Sequence, residues 1–94
     1  MAADNSELTI DIIKSIMEWV VTINHSTAAR AFLEYSGHIA QLSVRVYKDG
    51  NWRGKPIIKE EIRFDEGASK RRFKHLRDDL QAFWVELMYK EDKK

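Results

Sequence analysis

The spacing of the apolar residues changes twice along this chain, and those changes limit its fold more than any other feature. From Thr9 to Ile23 apolar side chains recur every three or four residues, as on one broad face of a helix. From Thr27 to Phe64 they mostly alternate with polar ones, as in strands covered on one side. Helical spacing returns from Ser69 to about Tyr89. The sequence therefore predicts the order helix, strand, strand, strand, helix.

Three segments carry the strand alternation, namely Thr27 to Tyr35, His38 to Tyr47 and Ile57 to Phe64. Short runs rich in turn residues separate them, including an Asp-Gly hairpin signal after Tyr47. The positions expected to face inward are Ala29, Ala31, Leu33, Tyr35, Ala40, Leu42, Val44, Val46, Ile58, Ile62 and Phe64, with Glu60 as a polar exception. We expect an α+β domain, α-β-β-β-α, with a three-stranded antiparallel sheet and two helices packed on one face.

The two helices differ in how much of their surface is apolar. On the first helix only Asp11, Lys14, Ser15, Glu18 and Thr22 are left for solvent, so it should be well buried. Thr9 or Ser6 can cap its start, and it should end at about Asn24 to Thr27. The second helix, with Asp65 or Ser69 as its cap, has one continuous stripe formed by Phe73, Leu76, Leu80, Phe83, Trp84, Leu87 and Met88.

Composition excludes several classes of protein. The 94 residues suit one small domain, expected at 9–90 between a flexible segment 1–8 and a frayed end 91–94. The absence of cysteine rules out disulfides and thiolate sites and fits a reducing cytoplasm. The acidic N-terminus does not resemble a signal peptide, and no apolar run approaches the roughly 20 residues of a membrane span. We expect a cytoplasmic protein outside the membrane.

Catalytic signatures are absent from the sequence. There is no Gly-rich phosphate loop, zinc-protease helix or nucleophile elbow. His75 and Asp79 lie four residues apart on a helix and could both touch a metal, but two ligands do not make a site. Glu60 and Glu61 point to opposite sides of a strand, so they cannot act as a pair. We expect no enzyme activity, no cofactor and no bound metal.

A cluster of cations stands at the start of the second helix: Lys70, Arg71, Arg72, Lys74 and Arg77, here called the basic cluster. Positive charge at a helix N-terminus opposes the helix dipole, so a bound phosphate could offset that cost. Alternatively, these residues are only the solvated side of a core helix. The net charge of +1 means that any basic site is local.

Three short motifs resemble the double-stranded-RNA-binding domain. Gly37-His38, then three residues, then Leu42 to Val46 is similar to that family's Gly-Pro-x-His, three residues, Phe-x-Val-x-Val, without the proline. Ser69 to Lys74 resembles its Ser-Lys-Lys-x-Ala-Lys, and Ile16 to Trp19 its Leu-x-Glu-Tyr. The small alanine pair that follows in the family falls on Arg77 and Asp78.

The resemblance implies recognition of A-form shape by three parts of the chain. Lys70, Arg71 and Lys74 would contact phosphates across the major groove. His38 and its turn would enter one minor groove, and Glu18 would touch 2′-hydroxyls in the next. No cofactor would be needed, and the partner would be double-stranded RNA or another nucleic acid.

A second set of residues indicates a protein partner instead. Trp52 and Arg53 lie in a loop without periodic neighbours, and Phe32, Tyr47 and Arg45 belong to the sheet face away from the helices. Exposed aromatics beside arginines are typical of interface anchors, although Trp52 could also fold back over the core. The alternative hypothesis is thus an adaptor or inhibitor, of the kind found in phages and mobile elements, acting as a monomer or a homodimer. In either case we expect a small binding module.

Overall fold

The computed structural model describes residues 8–49, 54–64 and 67–92. Its elements are α1 (Thr9–Ser26), β1 (Arg30–Ser36), β2 (Gln41–Tyr47), β3 (Ile58–Arg63) and α2 (Ser69–Asp92). The strands form one antiparallel sheet in the order β1-β2-β3. The predicted α-β-β-β-α architecture is confirmed.

One core lies between the two helices and a single face of the sheet. The alternation in β2 is confirmed, because Leu42, Val44 and Val46 are buried while Arg45 is exposed. Each fully buried aliphatic side chain contributes about 1.5–3 kcal/mol relative to an exposed one. The buried members of the core are Ile12, Ile16, Val20, Ile23, Ala29, Ala31, Leu42, Val44, Val46, Ile62, Phe73, Leu76 and Leu80.

The end of α1 is attached to the start of the sheet through one side chain. Asn24 remains helical, and its amide nitrogen donates to the carbonyl of Ala31 at 2.9 Å. The Ala31 N–H in turn donates to the Asn24 side-chain oxygen at 2.7 Å. At the other end Leu8 is the N-cap and makes no side-chain cap bond. Thr9 is the first helical residue, so its predicted capping role is wrong, and Ser6 lies outside the described residues.

Several apolar side chains are exposed that the sequence placed inside. Ile10, Met17 and Val21 face solvent on α1, because the apolar arc of this helix is wider than the surface it packs against. Tyr35 lies on the helix side of β1 as expected, but it is 54% exposed, since it is the second-last residue of the strand, next to the β1–β2 turn. Neither helix within the described ranges is long and apolar enough to cross a membrane.

One strand boundary differs from the prediction, and one polar residue in a strand is explained. The second strand begins at Gln41 and not at His38, because residues 37–40 form a turn that ends with Ala40 in the left-handed region at φ 50°. Glu60 lies on the helix side of β3 as expected. There its carboxylate accepts a hydrogen bond from the Arg72 guanidinium at 3.1 Å, which explains a polar residue at that position.

The two helices meet again near the end of α1. The indole N–H of Trp84 donates to the Ser26 hydroxyl at 2.8 Å, and the rings of Trp19 and Trp84 lie 5.5 Å apart. Both contacts join the C-terminal half of α1 to Trp84, which lies about four turns from the start of α2. The helix then continues to Asp92, past Tyr89, where the apolar stripe ends.

Candidate nucleic-acid interface

Phe64 links the β1–β2 turn to the start of α2. Its backbone N–H donates to the Ala40 carbonyl at 2.9 Å, and its own carbonyl accepts from the Ser69 hydroxyl at 3.2 Å. Its ring lies between those of Tyr35 and Phe73, with centroids 5.6 and 5.1 Å away. The turn and the first residues of α2 are therefore at the same end of the molecule.

His38 occupies the second position of this turn and is exposed. The turn closes with the Ala40 N–H donating to the Gly37 carbonyl at 3.3 Å. Because the Ala40 carbonyl is held by Phe64, the turn is bound to the body of the domain at its last residue. His38 is thus presented on an anchored turn.

Charge along α2 runs opposite to the helix dipole. Residues 69–77 contain five Lys or Arg and no acid, whereas residues 78–92 contain five Asp or Glu and one Lys. The first turn, where carboxylates are stabilising, has none. Each misplaced charge at an exposed helix end costs about 0.3–1 kcal/mol at low salt. An anion bound at the basic end would remove this cost.

The residues of the basic cluster point in different directions. Arg72 is turned toward the sheet, where it contacts Glu60 and also donates to the Glu61 carbonyl at 3.2 Å. Arg71 is exposed on the outer side of α2. Lys70 and Lys74 share the flank of Arg77, because spacings of three and four residues place side chains on one face of a helix. Lys70 and Lys74 are half-buried.

Glu18 of α1 lies near Arg77, on the side of α2 that carries Lys70 and Lys74. It lines a shallow cleft of about 710 Å³ between α1 and α2, together with Trp19 of α1 and Arg77 and Gln81 of α2. Arg77 also forms an ion pair with Asp78 at 3.5 Å. The sequence assigned Arg77 to the basic cluster and Glu18 to a separate contact with 2′-hydroxyls. Only the packing of α1 beside α2 places the two in one cleft.

The residues predicted to bind a protein partner are separate from this flank. Phe32 and Tyr47 do stand side by side on the open sheet face, with ring centroids 5.8 Å apart and edge-to-face. The expectation that both are exposed is wrong for Tyr47, which is 6% exposed and packs against the Phe32 ring. Arg45 stands over the Phe32 ring at 5.6 Å. Trp52 and Arg53 lie outside the described residues, so their interface role stays a prediction.

The described part of the chain was also searched for residues that could bind a metal ion. No group of three or more His, Cys, Asp or Glu that could hold a metal occurs there. His75 and Asp79 are both exposed on α2.

Comparison of the chain with protein-family models, curated proteins and solved structures finds no match.

Proposed function

We propose that this protein is a non-catalytic module that binds double-stranded RNA along the flank formed by α1, the start of α2 and the β1–β2 turn. The observation that supports this most is the double anchoring of Phe64, which holds the His38 turn beside the basic start of α2. A domain that reads A-form shape must reach two minor grooves and the phosphates between them. It therefore needs several elements in fixed positions.

Each element has a distinct role in this proposal. Lys70, Arg71 and Lys74 contact phosphates that border the major groove. The His38 turn enters one minor groove, and Glu18 accepts hydrogen bonds from 2′-hydroxyls in the next. The reversed charge of α2 supports this arrangement, since phosphates would stabilise the cations that the helix dipole disfavours. Arg72 contributes less, because it is bonded to the sheet.

The test is a titration with an RNA duplex of about 20 base pairs, long enough for a shape-reading domain. Binding is measured at about 50 and 200 mM salt, because phosphate contacts weaken steeply with ionic strength. The variant K70E/R71E should lose binding. K48E/K55E is the matched control, because it makes the same change in net charge at two exposed lysines outside the proposed site. It should bind as the parent does.

Three outcomes would overturn the proposal. They are an absence of duplex binding even at the lower salt, a K70E/R71E variant that binds as well as the parent, and equal losses in both variants. A DNA duplex of the same length serves as a further arm. Equal affinity for B-form DNA would contradict the role of Glu18 at 2′-hydroxyls, because DNA has none.

A further inference from the structure

The register of the three strands arranges the open sheet face into rows. Antiparallel partners stand side by side about 4.8 Å apart, and rows on one face repeat every second residue, about 7 Å along the strands. From one end of the sheet to the other, the rows are Arg30 and Tyr47; Phe32, Arg45 and Lys59; Glu34, Ser43 and Glu61; and Ser36, Gln41 and Arg63.

The first two of these rows combine cations with aromatic rings. We call their five residues, Arg30, Phe32, Arg45, Tyr47 and Lys59, the basic sheet end. Its three cations are all exposed, although the Arg30 guanidinium donates to the Ala29 carbonyl at 2.9 Å, and the described part of these two rows holds no carboxylate. The two glutamates of the face are both in the third row. Positive charge is therefore concentrated around the aromatic pair.

Phe32 is a partly exposed ring that packs against a buried one. It is 40% exposed, whereas Tyr47, which meets it edge-on, is 6% exposed. The Arg45 guanidinium stands 5.6 Å from the Phe32 centroid and is its direct partner across the strands. A half-exposed ring that meets a buried tyrosine edge-on, with a guanidinium over it, resembles the aromatic and arginine surfaces on which proteins stack unpaired bases.

We propose that the basic sheet end binds single-stranded nucleic acid, with one base stacked on Phe32 and with Arg30, Arg45 and Lys59 against the adjoining phosphates. The ligand is single-stranded because a duplex hides the faces of its bases from side chains. The aromatic ring favours a nucleic acid over an acidic protein segment. Carboxylates would engage the cations alone, but every base offers a flat face for stacking.

The site goes beyond the duplex-binding function proposed above and shares no residue with it. The core separates the open sheet face from the helices, so the two surfaces lie on opposite sides of the domain. A single-stranded ligand and a duplex should therefore respond to different substitutions. Failure of either proposal would leave the other standing.

The experiment measures the fluorescence anisotropy of a labelled oligouridine of about 12 nucleotides, a length within the range that single-strand sites cover. Oligouridine is used because it does not pair with itself. F32A and F32L should each weaken binding about 5- to 150-fold, since loss of one stacked base has that effect. F32Y should bind as the parent does, because it keeps the aromatic face. Circular dichroism verifies that each variant is folded.

Matched controls distinguish the loss of this site from the loss of any exposed aromatic ring or of positive charge elsewhere. Y35A removes an aromatic ring that is 54% exposed on the helix side of the same strand, and it should leave binding unchanged. K70E/R71E should retain affinity for the oligouridine while it loses the duplex. The double variant R45A/K59A should weaken binding and also reduce its dependence on salt, because it removes two phosphate contacts.

The proposal is overturned if the oligouridine does not bind at about 50 mM salt. It is also overturned if F32L binds as tightly as the parent, or if Y35A loses as much affinity as F32A. As a last arm, an oligoglutamate peptide of similar length is titrated. If that peptide binds as tightly as the oligouridine and is equally sensitive to F32A, the surface accepts acidic protein segments and the nucleic-acid proposal is wrong.

Discussion

The backbone N–H of Phe64 donates to the carbonyl of Ala40 across 2.9 Å, so the end of β3 holds the last residue of the β1–β2 turn. Ala40 has a φ of 50°, a conformation that costs an L residue about 1–2 kcal/mol. The turn that presents His38 is therefore strained at the very residue that fixes it to the domain.

The first prediction concerns this strain. A40G should stabilise the protein by about 0.5–1 kcal/mol, because relief of the left-handed strain exceeds the added entropy of the unfolded chain. Urea denaturation measures the change in the free energy of unfolding. A28G, at an exposed bend before β1, is the control and should destabilise by about 0.4–1 kcal/mol. The same sign of change in both variants would contradict the assignment of strain to Ala40.

The second prediction concerns the attachment of α1 to the sheet. N24A removes both hydrogen bonds to Ala31 and leaves a buried N–H and carbonyl without these partners. The free energy of unfolding should fall by about 1–3 kcal/mol. The exposed neighbour provides the control, and H25A should change stability by about 0.5 kcal/mol or less. Equal effects of the two substitutions would mean that the amide of Asn24 does not hold β1.

The third prediction tests which face of α1 is buried. Ile16 is fully buried and Met17, its neighbour, is 45% exposed. I16A should cost about 2–5 kcal/mol, as is usual for truncation in a core. M17A should change stability by about 0.5 kcal/mol or less. A loss of several kcal/mol on M17A would show that this flank of α1 is covered, as it would be in a homodimer.

The fourth prediction concerns the ion pair between Arg72 and Glu60. Both side chains are about 40% exposed, so solvent screens the interaction. A double-mutant cycle with R72Q and E60Q should give a coupling energy of about 0.2–1 kcal/mol that falls as salt is added. A coupling well above this range, unaffected by salt, would mean that the pair is shielded from water.

The fifth prediction follows from the proposed duplex binding. K70Q should reduce the slope of log K against log salt by about 1 and weaken binding equally for duplexes of different sequence. R72Q removes the same charge from the same turn, but its guanidinium is engaged with the sheet, so the slope should change less. If R72Q has the larger effect, the phosphates lie on the Arg72 side of α2, and the proposed binding along the Lys70 side is wrong.

The periodicity was sufficient to predict the elements and most of the core. Phe73, Leu76 and Leu80 are spaced for one face of a helix, and all three are buried. The boundaries were predicted less well. His38 continues the alternation of β2 in the sequence, yet it lies in a turn, because a change of φ at one residue leaves no mark on the apolar pattern.

For the candidate sites, the sequence alone supplied the types of residue that could bind an anion: the cations at the start of α2, His38, Glu18 and the aromatic pair. It did not determine which of them meet. Glu18 and Arg77 are brought to one cleft by the packing of α1 beside α2, and Arg72 is turned from the flank by Glu60. Contacts between distant residues depend on the packing of helices and sheet in three dimensions. Local spacing therefore determined the elements, and only the tertiary structure decided which side chains share a surface.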